Sequence, residues 1–204
     1  MKNLAMMSIS SLFLCLALLS SCTPEQMSTD HSTGMKDKLE HLSGTYMDPS
    51  PYAYGEAWGH RIFTFDDGKW TLRFTLALAP DLSQPVFEFR TYGTYQVQQP
   101  SATVDNAYEA LFLEEKKYLT LKTSHPQLIE AFGFSDCELM TDVEKDISET
   151  GCALWASVAE CHEDYDLLSM DEDGVLYFGI RPVDNNMCTP ERRPTALAPG
   201  VHKQ

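Results

Sequence analysis

From Gly44 onward the apolar residues of this chain recur at every second position, and that period dictates strands. In "HRIFTFDDGKWTLRFTLALAP", residues 60–80, Trp70, Leu72, Phe74, Leu76 and Leu78 point one way, while Lys69, Thr71, Arg73, Thr75 and Ala77 point the other. Successive side chains of a pleated strand alternate between faces, so a run without a slip means one buried face and one wet face. Asp67-Gly68 in the middle of the stretch suits the φ > 0 positions of a tight hairpin turn. "VFEFRTYGTYQVQ" repeats the device, with Phe87, Phe89, Tyr95 and Val97 on one face and Glu88, Arg90 and Gln96 on the other; Gly93, on the apolar face, marks a bend or bulge.

Further along, "AYEALFLEEKKYLTLKT" reads as a hairpin turning near Glu115-Lys116, and "YDLLSMDEDGVLYFGIR" as another turning at Asp173-Gly174. "HPQLIEAFGF" interrupts the series with a proline start and helical spacing, which predicts a short helix. Asp136 to Gly151 is polar and irregular, a loop stapled by its cysteines. Eight or nine strands with short links favour an antiparallel β-barrel over a flat sheet, because eight strands can close and hide their edges. A β-sandwich is the alternative.

The N-terminus carries a different signal. Lys2 precedes an apolar run from Leu4 to Leu19 of roughly 15 residues, short for a membrane span and suited to an export signal. Leu19-Ser20-Ser21-Cys22 has the form of a bacterial lipobox: an aliphatic residue, two small residues, then a cysteine that becomes the lipidated N-terminus. Leu19 fits ordinary signal cleavage poorly, since that favours a small residue three positions before the cut. Thr23 follows the cysteine, and the absence of Asp there points to the outer membrane, facing the periplasm. The expected organisation is therefore a signal peptide at 1–21, a lipidated N-terminus and flexible tether at 22–40, a barrel at 41–196 and a disordered tail at 197–204. Within the tether, "DKLEHL" can add a helical turn before the first strand.

Six cysteines are present. Cys15 leaves with the signal and Cys22 takes the lipid, so Cys137, Cys152, Cys161 and Cys188 remain. An even count in an oxidising compartment reads as two disulfides, and the gaps do not match the close pairs of zinc sites. Sequence alone allows three pairings. Cys161 and Cys188 flank the predicted hairpin and could close its base, which would leave Cys137 with Cys152.

The formal charge is −15 and no basic stripe is visible, which argues against a nucleic-acid partner. No catalytic constellation is legible either. His60, His125 and His162 are scattered, and Ser157 and Ser169 lie in no nucleophile-elbow pattern. "CHEDYD", residues 161–166, reads as a charged strand entry, and "DEDG", residues 171–174, as a hairpin turn without the later acidic ligand of a calcium loop. No phosphate-binding glycine loop appears, so neither enzyme activity, a metal nor a cofactor is expected. What remains is the apolar face: Phe63, Phe65, Trp70, Leu72, Phe74, Leu76, Phe87, Phe89 and Tyr95. Inside a barrel it is either a filled core or the wall of a ligand pocket, and periodicity does not separate the two. Residues 48–59, "DPSPYAYGEAWG", carry Tyr52, Tyr54 and Trp58 among prolines and glycines, a candidate mouth loop.

The C-terminal third, "GCALWASVAEC…YDLLSMDEDGVLYFGIRP…NNMCTPERRPTAL", resembles the APCDD1 domain, named from an animal membrane-anchored Wnt inhibitor and also seen in bacterial lipoproteins. Gly44-Thr45-Tyr46 is similar to that domain's opening G-x-W/Y, "SQPVFEFRTYGTY" to its proline-led strand, and Arg192-Arg193-Pro194-Thr195 to its closing R-P-T. The resemblance runs from about Leu42 to Thr195. It implies a lipocalin-like barrel that receives a lipid acyl chain in a hydrophobic pocket. Two departures stand out. "MDPSPYAYGEAWGH" and "LAPDLSQP" lack the cysteines that form the animal domain's first disulfide, and this chain has one barrel copy where the animal protein has two. A lipobox implies a bacterium, which has no Wnt, so the pocket carries over and the signalling does not. The expectation is a membrane-anchored lipoprotein whose barrel binds a lipid or other hydrophobic small molecule; the alternative is a non-catalytic structural or interaction module of the cell envelope with an unknown protein partner.

Overall fold

The computed structural model describes residues 34–204, so the signal, Cys22 and most of the expected tether lie outside the described residues. Residues 34–40 are helical (α1), and ten strands follow in one antiparallel sheet. They are β1 (Gly44–Met47), β2 (Tyr52–Tyr54), β3 (Ala57–Asp66), β4 (Lys69–Ala77), β5 (Pro85–Pro100), β6 (Tyr108–Leu121), β7 (Glu144–Asp146), β8 (Glu163–Met170), β9 (Leu176–Phe178) and β10 (His202–Lys203). A short helix, α2 (Pro126–Ala131), falls where the proline-led pattern predicts it. Eight strands run in the order β10-β1-β3-β4-β5-β6-β8-β9, while β2 pairs with β3 and β7 with β6. The result is a nearly closed, mostly antiparallel barrel.

Closure comes from the C-terminus. The Leu176 N–H donates to Val201 O at 2.9 Å and the Val201 N–H returns to Leu176 O at 2.8 Å, while β10 pairs with β1. One segment thus bridges the two open edges, each of which would otherwise present unpaired backbone groups. The expectation of a disordered tail at 197–204 is wrong for this reason: Val201 is fully buried and Ala198 donates to Phe178 O. The end of the expected tether is also ordered, since α1 packs Met35 and Leu39 into the core.

The hairpin at Asp67-Gly68 forms as expected, with φ of 47° and 73°. The turn expected at Glu115-Lys116 does not form. Here β6 continues as a single 14-residue strand with its register shifted opposite Gly93, where Tyr92 pairs with Lys116 and Gly93 with Glu114. Glu115 is the extra residue of a bulge, and nothing in "EEKK" supplies the φ > 0 residues that a tight turn needs. Gly93 is required there, because a Cβ on it would sit 1.8 Å from Leu113 O. The bulge turns both Glu114 and Lys117 inward.

One end of the barrel is packed shut. Phe65, Trp70, Tyr95, Phe112, Leu168 and Phe178 meet Leu39 and Leu42 there in a single apolar cluster. The Tyr95 hydroxyl accepts from Leu42 N and lies 3.0 Å from Leu39 O as donor, which ties the α1 plug to β5. The opposite end carries the loops and both disulfides, Cys137–Cys152 and Cys161–Cys188, the pairing that the hairpin argument suggested.

Candidate functional site

Above the closed end lies a cavity of about 1640 Å³. Phe63, Trp70, Phe112 and Phe178 form its floor, with Phe63 stacked on Phe178 at 4.0 Å between ring centroids. Its apolar wall is Leu72, Phe74, Leu76, Phe87 and Phe89, joined by Trp155, three residues past the Cys137–Cys152 staple, which stacks on Phe89 at 5.0 Å. Alternation places these side chains. Cross-strand pairing sets Phe63 beside Leu72, and Phe74 beside Phe89, so the inward positions of β3, β4 and β5 share one surface. Tyr52 and Tyr54 line the mouth, and Tyr54 leans on Phe74 at 5.4 Å.

Three of the expected residues lie elsewhere. Phe65 and Tyr95 belong to the packed closed end, where the α1 plug fills the space that an open barrel would leave. Trp58 occupies the β3 position between buried Ala57 and Gly59, and so takes the outer face. Leu78 does reach the mouth, where Leu154, Ile180 and Val183 also expose their apolar tips.

A belt of buried charge separates the floor from the mouth, and the sequence reading did not find it. Arg61 is held by Asp48, whose Oδ2 accepts from the Arg61 backbone N–H at 2.6 Å and whose Oδ1 accepts from Nη2 at 2.6 Å. Lys117, only 3% exposed, spends its ammonium protons on Glu114 Oε2 at 2.8 Å, Ala156 O at 3.1 Å and Cys161 O at 2.7 Å. Arg181 donates to Asp164 Oδ2 at 2.7 Å and to Asn185 Oδ1 at 2.8 Å. Asp166 accepts from the backbone N–H groups of Leu167 and Gly179 through Oδ1. The signal for three of these residues was present in the alternation. Arg61 shares parity with Phe63 and Phe65, and Asp164 and Asp166 share it with Leu168, so an inward strand face carries the charges.

Desolvation sets the electrostatics of this belt. Burial pushes the Asp166 carboxyl up to about 6, with Arg181 opposing. Glu114 is also held above its ordinary value, first by burial and then by Asp164, against the pull of Lys117. Burial works against the charge on Arg181, but Asp164, Asp166 and Glu114 outweigh it and raise its pKa. At the mouth, burial pushes the Tyr52 phenol up to about 12 against the effect of Arg61. An aromatic-walled chamber with fixed internal charges is built to hold a molecule by burial and orient it by a few polar contacts. Among the described residues no group of three His, Cys, Asp or Glu is arranged to hold a metal ion. No known family model matches this chain, and no curated protein matches it either.

Proposed function

We propose that this protein is a membrane-anchored lipoprotein whose barrel binds a hydrophobic ligand, a lipid or an acyl chain, without covalent chemistry. The single observation that supports the reading is the cavity of about 1640 Å³, walled by Phe74, Leu76, Phe87, Phe89 and Trp155 and open at one end. Apolar burial supplies about 0.8 kcal/mol per methylene, so a long chain along that wall is held by several kcal/mol with no catalytic group involved. The lipocalin-like pocket implied by the resemblance to the APCDD1 domain supports the same reading. The lipobox ending at Cys22 supplies the anchor, and Thr23 supports placement in the outer membrane, on its periplasmic side. The exposed tips of Leu78, Leu154, Ile180 and Val183 favour a second reading, in which the mouth docks on another envelope protein.

Native mass spectrometry of the chain purified from its own envelope, followed by solvent extraction, tests the reading. A stoichiometric lipid or fatty acid released from the barrel is expected. An empty barrel that stays empty after incubation with phospholipids and fatty acids overturns it and leaves the docking surface. Metabolic labelling with a fatty acid checks the anchor: incorporation is expected in the natural chain and lost in Cys22→Ala.

A further inference from the structure

The charges lining the cavity do not cancel. Arg61 is matched by Asp48, Lys117 by Glu114 and Arg181 by Asp164, each within 2.8 Å. Asp166 is left over: it lines the cavity at 6% exposure, and among the described residues no cation lies within ion-pair distance of its carboxylate. Both of its hydrogen bonds fall on Oδ1, so Oδ2 accepts none from the described residues. No side-chain oxygen among the described residues is both sealed and unpartnered, so Oδ2 faces the cavity, where a carboxylate largely stripped of solvent gains most from a proton donor or a positive charge.

The position of Asp166 says where such a group would sit. It is the inward residue of β8 next to Leu168, which is fully buried in the closed cluster, so it stands at the foot of the cavity. The cations, by contrast, have little left to offer an anion. Lys117 has committed its ammonium to three oxygens, and Arg61 and Arg181 already grip carboxylates. A ligand carboxylate would have to displace Asp164 or Asp48. The rim repeats the bias more weakly: Glu138 is paired with Lys145 and Asp184 with Arg192, while Glu56 and Asp136 face the cavity there without an ion-pair partner among the described residues, which favours cations over anions at the entrance.

We propose, on the reading of the barrel as a hydrophobic-ligand receptor, that its ligand is a cationic amphiphile, an alkyl chain bearing a protonated amine, whose head donates to Asp166 Oδ2 while the chain runs along Phe74, Phe87 and Phe89 to the mouth. Asp166 is faced by Asp164 on its own strand, Glu114 on β6, Arg181 beyond β9 and, on the C-terminal segment, Arg193, whose own charge it helps to hold. The carboxyl, pushed up to about 6 by burial, sheds its charge as pH falls, so amine binding weakens on acidification.

The test uses the full chain in phosphatidylcholine nanodiscs and three brominated probes of equal chain length: a primary alkylamine, an alkanoate and an alkanol. Trp70 and Trp155 line the cavity, so a chain seated there quenches their fluorescence. Partitioning into the lipid is common to wild type and Asp166→Asn and cancels when the two are compared. A charge-assisted hydrogen bond predicts at least about a tenfold loss of amine binding in Asp166→Asn, with the alkanol unchanged and the alkanoate no weaker. In wild type, lowering the pH from about 7.5 to about 5 should weaken the amine and not the alkanol, a readout that needs no variant. If the alkanoate binds wild type as tightly as the amine, or Asp166→Asn leaves amine binding unchanged, the cationic assignment is overturned while the hydrophobic receptor stands. If no probe quenches, the receptor reading itself fails and the assignment goes with it.

Discussion

At the closed end Phe65, Trp70, Tyr95 and Phe112 pack ring against ring beneath Leu39 and Leu42. Toward the mouth the same strands continue, but Phe74 and Leu72 are only half-buried, charges replace apolar residues on β3, β6 and β8, and open space occupies the axis. Both disulfides lie on that side and line the cavity; among the described residues none reaches the closed end. Covalent staples stand where interior packing is interrupted. A barrel that keeps a chamber open gives up burial on that half, and loop closure in the unfolded chain is one way to recover the loss.

Large-to-small substitutions should break the comparison most sharply. Phe65→Ala leaves a hole that the plug cannot fill and should cost about 3–5 kcal/mol. Phe74→Ala removes a ring that already borders empty space, and its cost should be about 1 kcal/mol. Denaturant unfolding of both variants measures the difference. Equal losses would mean that the chamber is packed in solution. The ligand readout should run the other way, with Phe74→Ala weakening chain binding and Phe65→Ala leaving it intact in the fraction that folds.

The two halves were unequally legible in sequence. Strands, the Asp67-Gly68 and Asp173-Gly174 turns and the bulge at Gly93 follow from local rules of period and backbone freedom. So does the apolar wall. The plug was not legible, because α1 precedes the first strand and its docking under Tyr95 is a contact between residues more than fifty apart in sequence. Phe65 and Phe63 have the same period and the same chemistry, and only the plug decides that one is core and the other floor. Arg61 and Asp166 were overlooked for a different reason. An ionisable residue on an alternating strand is ordinarily taken as solvent-facing, and parity was the stronger guide here. The C-terminal strand was missed because two residues of pairing leave no periodic trace, although an apolar Val201 near the chain end was a hint.

Removing a staple should have the next largest effect. Cys137→Ser with Cys152→Ser frees a loop whose ends are 15 residues apart, which corresponds to about 3 kcal/mol in the chain-entropy account. Proteolysis should cut first within residues 138–151, and because Trp155 is bridged to Cys152 by a pair of backbone hydrogen bonds, quenching of Trp155 by a bound chain should fall. Trp70 beside Phe112 should keep its environment while the barrel remains folded. Simultaneous loss of both tryptophan signals would mean that the halves unfold as one unit and that the staple serves the whole barrel.

The smallest expected effect concerns Asp166, and its sign is the most informative. Its folded-state pKa of about 6 lies above the ordinary 3.8, so between those values the native chain binds more protons than the unfolded one. Stability contributed by this group therefore falls as pH rises from about 4 to about 6 and stays reduced above that. Glu114 is shifted in the same direction. Asp166→Asn retains an oxygen for the Leu167 and Gly179 N–H groups and removes the unmatched charge. It should raise the stability of the empty protein near neutral pH and flatten its pH profile across that window, as thermal unfolding at a series of pH values would show. A variant less stable than wild type at pH 7, with an unchanged profile, would mean that Asp166 is already neutralised inside the barrel. If the substitution stabilises the fold and weakens amine binding together, the surplus carboxylate is a binding device retained at the expense of stability, which is the pattern expected of a functional site and not of a structural one.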